Sequence, residues 1–111
     1  NTYPNDSLTY FANIYLKELR NKLAYKNYFT AYLYYKWQSY RSALIYIDIV
    51  LDEYPETEFA EEALWLKIQI YNDQGLYYDL EELLTKYKQM FPKGKYLIRV
   101  ETLSNSHRAK Q

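Results

Sequence analysis

Shifted by 37 residues, the chain falls onto itself. Leu33 meets Ile70, Tyr34 meets Tyr71, Tyr40 meets Tyr77, Ala43 meets Leu80 and Ile47 meets Leu84. Gln38 meets Gly75, Tyr54-Pro55 meets Phe91-Pro92, and Phe59 meets Tyr96. Apolar positions match apolar positions, turns match turns and Pro matches Pro. A period of this length marks stacked supersecondary units, each burying its apolar face on its neighbour.

Each unit reads as helix, turn, helix. Tyr40, Ala43, Ile47, Val50, Leu51 and Tyr54 recur at three- and four-residue steps, one face of a helix. Pro55 ends that helix, because the residue before a Pro avoids the helical region. Thr57 offers an N-cap, and Glu58, Glu61 and Glu62 place negative charge at the positive end of the next helix. That helix carries Phe59, Ala63, Leu64, Ile68 and Tyr71 and stops near Asn72–Gly75. Leu76, Leu80, Leu83, Leu84, Tyr87 and Phe91 mark another, closed by Pro92-Lys93-Gly94. Tyr34, Ala43, Tyr71 and Leu80, with Pro55 and Pro92 at the breaks, are the expected helix-packing positions.

The N-terminal third departs from the period. Tyr3-Pro4 resembles Tyr54-Pro55 and Ala12 then matches Ala63, an offset of 51 that returns to 37 by the end of the same helix. The 14 extra residues make about 3.9 turns, so the inward face is preserved. With no Gly or Pro between Asn5 and Arg41, Ser7 to about Trp37 reads as one helix, roughly 45 Å long. A bend near Arg20–Ala24 is the alternative.

The expected fold is all-α: one helical-repeat domain over residues 1–104 with a polar tail at 105–111. Its helices fall near 7–37, 40–53, 57–72 and 77–91, with a short capping helix near 95–103. The 111 residues suffice for one core. Two Gly argue against a sheet of tight turns and exclude Gly-rich phosphate loops. The 16 Tyr, against 4 Phe and 2 Trp, do the work of Phe and Leu in helix contacts, or else form an aromatic ligand face.

Chemistry is sparse in the pattern. Zero Cys removes thiolate chemistry and thiolate metal sites. His107, the one His, lies in the polar tail, where no second His exists for a metal or triad site. Adjacent pairs such as Glu61–Glu62 and Glu81–Glu82 sit in helix first turns and point in different directions. No cofactor, metal or catalytic group is expected, and balanced charge, 14 basic against 14 acidic, speaks against nucleic acid.

The charges are segregated. Residues 1–45 carry +4, residues 46–82 carry −10 and residues 83–111 carry +6. Helix-dipole compensation is one reading; a surface that steers a charged partner is the other. Glu58, Glu61, Glu62 and Arg41 are the charged candidates for partner binding, and Tyr46 and Tyr78 the aromatic anchors. The basic end, including Lys86, Lys88, Lys93, Lys95 and Arg99, offers weaker grounds for contact with anionic lipid.

Paired antiparallel helices with a small residue at Ala43 and a Pro after the second helix resemble the tetratricopeptide class, an α-solenoid, here with one unusually long N-terminal helix. A narrower likeness rests on Tyr3-Pro4-Asn5-Asp6-Ser7 opening a long helix with Leu23-Ala24-Tyr25 and Tyr34-Tyr35. Tyr40, Ala43, Leu51, Tyr54-Pro55-Glu56-Thr57 and Ala60 to Leu64 follow. From about Tyr3 to Leu84 the chain resembles the C-terminal part of the BamD (YfiO) family, lipoproteins of the outer-membrane β-barrel assembly machinery. The resemblance implies a non-catalytic adaptor that docks on the periplasmic domains of the barrel-forming subunit, BamA. It also implies lipid anchoring at the periplasmic face of the outer membrane, through a Cys upstream of Asn1 in a chain that looks trimmed or mature. The family often carries a basic residue where this chain has Tyr46, so an ion pair there is not implied. A different envelope tetratricopeptide adaptor, acting in division or outer-membrane constriction, is the alternative.

Overall fold

The computed structural model describes the backbone of residues 3–109 and the side chains of residues 7–108. Five helices follow one another: α1 (Tyr3–Lys36), α2 (Tyr40–Glu53), α3 (Phe59–Gln74), α4 (Tyr77–Met90) and α5 (Leu97–Ala109). No strand occurs among the described residues. The fold is all-α and tetratricopeptide-like, with each helix packed on the next and α3 also against α1.

The 37-residue period reappears atom for atom in the backbone. α1 ends with Ser39 N–H donating to Tyr34 O (2.9 Å) and Gln38 N–H to Tyr35 O (2.9 Å). α3 ends the same way, with Leu76 to Tyr71 (3.0 Å) and Gly75 to Asn72 (3.2 Å). Both are left-handed helix stops, with Gln38 at φ 61° and Gly75 at φ 72°. Glycine adopts that conformation freely, whereas Gln38 bears the steric cost of a side chain there. The second turn also repeats: Tyr54 N–H donates to Val50 O (3.0 Å), and Phe91 N–H to Tyr87 O (2.8 Å).

Two equivalent cores lie on opposite sides of α3. Ala31, Ala43, Ile47, Val50, Ala63, Leu66 and Ile70 fill the first, between α1, α2 and α3. Leu64, Trp65, Ile68, Leu80, Leu83, Leu84, Tyr87 and Val100 fill the second, between α3, α4 and α5. Leu51 and Tyr71 border both. α3 is therefore apolar on two sides, which a single amphipathic stripe does not describe.

α1 is one uninterrupted helix that starts before Ser7, at Tyr3. Pro4 falls in its first turn, where the missing N–H has no intrahelical acceptor to lose. Arg20 fixes where the covered part of α1 ends. Its guanidinium donates to Glu56 Oε1 (2.5 Å) and to the Glu53 carbonyl at the end of α2, and it lies 5.0 Å from the centre of the Tyr54 ring. Residues 8–19 lie on the far side of this clamp and are exposed throughout.

Three expectations are corrected. Thr57 does not cap α3: the cap position is Glu58, with no side-chain cap bond. The buried Thr57 hydroxyl instead donates back to Tyr54 O (2.8 Å), a carbonyl released where Pro55 ends α2. Pro55 and Pro92 are exposed, so they stop helices rather than pack between them. Residues 105–109, read as tail, continue α5. Leu103, Ser104 and His107 form a strip toward α4, where Ser104 is buried and accepts from Lys88 Nζ (3.3 Å). His107 lies with its ring 5.5 Å from that of Tyr77 and its Nε2 3.8 Å from Glu81 Oε2. Residues 110–111 lie outside the described residues.

Candidate partner-binding surface

The residues singled out for partner binding separate into an inward and an outward group. Glu61 and Glu62, in the first turn of α3, turn toward α4 and the α4–α5 turn. Glu61 Oε2 accepts from the Tyr87 hydroxyl (2.6 Å) and from Lys95 N–H (2.8 Å). The same hydroxyl accepts Tyr96 N–H (2.9 Å), so one buried phenol joins three segments. Glu62 accepts from the Tyr96 hydroxyl (2.5 Å) and pairs with Lys95 Nζ. Burial and the hydrogen bond to Glu61 push the Tyr87 phenol well above its usual range. Burial, then the Glu62 bond, raises Tyr96, and the bond to Glu62 raises Lys95. Gly94 is required here because a Cβ at that position would run into Glu61 Oε2 and the Tyr87 hydroxyl and come within 2.9 Å of Phe91 Cβ.

Tyr46 is half-buried and stacks on Tyr34, ring centres 5.7 Å apart at 17°. It packs on the first core, which corrects its reading as an exposed anchor. Tyr71 is likewise half-buried between the cores, while Ala43 (0%) and Leu80 (1%) are buried within them.

Arg41, Glu58 and Tyr78 face solvent, Tyr78 at 89% exposure. Arg41 and Tyr78 are equivalent positions 37 residues apart, each second in its helix, α2 and α4. Ile45, one turn after Arg41, is also exposed, a surface apolar residue that periodicity alone assigned to no role. Charge segregation is partly an internal matter. Arg20 pairs with Glu56 and Lys95 with Glu62, so each basic end is tied to the acidic middle.

The outer side of α1 carries the other conspicuous surface. Leu8, Phe11, Tyr15 and Leu19 recur at three- and four-residue steps and are exposed, Leu8 at 67%. Past Lys22 and Lys26 the same line continues through Phe29 and Leu33 to Trp37. Among the described residues, no group of three or more His, Cys, Asp or Glu could hold a metal ion. No helix is long and apolar enough to cross a membrane.

Residues 1–88, covering α1 to α3 and most of α4, match the model of the YfiO family, described as an outer membrane lipoprotein. The chain belongs to the YfiO family. No curated protein matches it. The matched span holds the long helix, the whole first core and the Arg20 clamp, and it takes in the first helical unit and all but the end of the second.

Proposed function

We propose that the chain is a non-catalytic docking subunit of the outer-membrane β-barrel assembly machinery. On this reading it sits at the periplasmic face of the outer membrane, held by a lipid anchor, and binds periplasmic domains of the barrel-forming subunit. The observation that carries the reading is the YfiO match over residues 1–88. The docking residues we favour are Arg41 and Ile45 on α2 and Tyr78 on α4, all exposed, with Arg41 and Tyr78 at equivalent positions of the repeat. Tyrosine and arginine are among the residue types that carry interface hot spots. Glu58, exposed at the start of α3, supplies charge that steers encounter. Glu61 and Glu62 serve the fold instead, since their carboxylates are committed to Tyr87, Lys95 and Tyr96.

Calorimetry with the purified periplasmic domains of the barrel-forming subunit tests this. Binding is expected without nucleotide, metal or lipid. Tyr78→Ala and Arg41→Glu should each weaken it by about tenfold, the loss of one hot-spot contact. Raising salt should slow association as the Debye length falls from roughly 10 Å toward 3 Å. Absence of binding at about 100 μM, the weak end of specific association, would reject the docking role.

A further inference from the structure

The two seams beside α3 are built on one plan and filled differently. In the first, Tyr28 on α1 stacks on Phe59 at the start of α3, ring centres 6.1 Å apart at 28°. In the second, Trp65 on α3 stacks on Tyr96 just before α5, centres 5.0 Å apart at 9°. The 37-residue shift relates the two pairs. Further along α1, Tyr32 and Tyr35 pack on the first core, and their equivalents on α3 are the carboxamides Gln69 and Asn72. On the facing wall, α5 carries Thr102 where α3 carries Trp65. Three rings are thus exchanged for three small polar side chains. α1 and α3 touch, whereas α3 and α5 stand apart around an open cleft of about 350 Å³. That volume lies at the lower end of the range for small-molecule sites, roughly 300–1,000 Å³.

The chemistry of the lining narrows what the cleft can hold. Gln69, Asn72 and Thr102 each offer a donor and an acceptor, and Asp73 offers acceptors alone. Arg99 offers donors alone. Its guanidinium lies 5.9 Å from the centre of the Tyr96 ring and enters no ion pair among the described residues. The equivalent position in the first seam is Glu62, which is held by Lys95 and Tyr96, so the charge is inverted and left open. An apolar ligand would strip water from two carboxamides and a guanidinium and pair none of them. A phosphate would be repelled by Asp73, in the last turn of α3, which accepts from the Tyr35 hydroxyl (3.2 Å). A polyhydroxylated ligand suits every group, because each hydroxyl both donates and accepts, and Asp73 can take a ligand hydroxyl as it takes that of Tyr35.

We propose that the cleft between α3 and α5 is a saccharide site selective for a sugar that carries a carboxylate. Arg99 takes the carboxylate, in the paired geometry that a guanidinium favours. Gln69 and Asn72 lie three residues apart on one face of α3 and take ring hydroxyls, joined by Thr102 from the other wall. Trp65 and Leu103 lie against the C–H face of the sugar ring. Asp73 sets the orientation: it accepts from hydroxyls and repels a carboxylate at its own end, so the acid group points to Arg99. The site stands apart from docking through Arg41, Ile45 and Tyr78, and either can hold without the other.

The test uses the 111-residue chain with Trp37→Phe, which leaves Trp65 as the single indole reporter. The probes are glucuronic acid; glucose, which has the same ring without the carboxylate; and glutarate, which has carboxylates without the ring. Glucuronic acid should change Trp65 emission saturably, with a Kd on the order of 1 mM, the scale of a ligand this small. Glucose and glutarate should each bind at least about tenfold more weakly, the one for lack of the charged contact and the other for lack of the hydroxyl contacts. Arg99→Gln should weaken glucuronic acid by about tenfold and leave glucose unchanged. Gln69→Tyr with Asn72→Tyr fills the cleft as the first seam is filled and should abolish binding with helicity and melting retained. Equal binding of glucuronic acid and either of the other probes, or undiminished binding by Arg99→Gln, would overturn the proposal even if the double variant failed to fold. So would a flat glucuronic acid titration of the Trp37→Phe chain up to about 50 mM.

Discussion

Tyr87→Phe removes one oxygen atom and should have a large effect. The ring is wholly buried in the second core, so the substitution leaves packing untouched. Its hydroxyl donates to Glu61 Oε2 at 2.6 Å and accepts Tyr96 N–H at 2.9 Å. The first bond ends on a carboxylate and contributes roughly 1.5–3 kcal/mol; the second leaves a part-buried N–H without its acceptor, at roughly 1 kcal/mol or more. The two overlap through the shared oxygen, so a total of about 2–3 kcal/mol is expected, equivalent to a fall in Tm of roughly 10–20 °C in a domain of this size. Urea melts followed by circular dichroism measure it, and Glu61→Ala alone and combined with Tyr87→Phe complete a double-mutant cycle. The cycle should show a coupling of at least about 1 kcal/mol, because each substitution removes the other's partner. A Tyr87→Phe protein within about 0.5 kcal/mol of the parent, the range of ordinary surface substitutions, would refute the claim that this phenol ties α3, α4 and the turn before α5 together.

Two further outcomes follow from the same structure. Ala43, wholly buried in the first core, has Leu80 as its equivalent in the second unit, so the two sites should respond oppositely to size. Ala43→Leu should lose roughly 1–3 kcal/mol by overpacking and Leu80→Ala roughly 2–5 kcal/mol by leaving a cavity, both read from denaturant melts. In alkali, Tyr28, raised by burial to about 12, and Tyr35, Tyr87 and Tyr96, also raised, keep their protons in the folded chain after the unfolded chain has begun to lose them near 10.0. Above that pH the unfolded state binds fewer protons, so stability should fall as pH rises from 10 toward 12, more gently in Tyr87→Phe; constant stability across this window would contradict it.

What the sequence discloses here is governed by how local the signal is. The 37-residue relation is carried by backbone hydrogen bonds between near neighbours, and Pro55, Gly75 and Pro92 announce three of the four breaks outright. Gln38 does not announce the remaining one, since a glutamine at positive φ has no local signature; only its alignment with Gly75 exposes it. Glu61 shows the opposite case. In the first turn of α3 its charge looks explained by the helix dipole, and the two partners that occupy it arrive from 26 and 34 residues away. The one nearby hint is Gly94, which reads as a turn glycine but is needed because Glu61 and Tyr87 fill the space of its missing side chain. Tyr46 fails for a related reason: a tyrosine at the edge of an amphipathic stripe is equally compatible with solvent and with a neighbouring ring, and Tyr34 decides between them.

The same relation explains why α1 resists a one-face reading. Under the shift, Tyr28 and Ala31 of α1 correspond to Trp65 and Ile68, the side of α3 that meets the second core. Phe29 and Leu33 correspond to Leu66 and Ile70, the side of α3 that α1 and α2 bury. α1 therefore carries both of the apolar sides that α3 carries. One is covered by α2 and α3; the other leaves Phe29 at 45% and, further out, Phe11 at 64% exposure. A helix in a stacked array is apolar on two sides because it has two neighbours. Residues 8–19 lie beyond the Arg20 clamp and are exposed throughout, and their apolar side chains keep the three- and four-residue spacing of the covered part of the helix. Lys22 and Lys26 divide this apolar line into an outer stretch, Leu8 to Leu19, and an inner one, Phe29 to Trp37, so the same side of α1 is apolar at both ends and cationic between them.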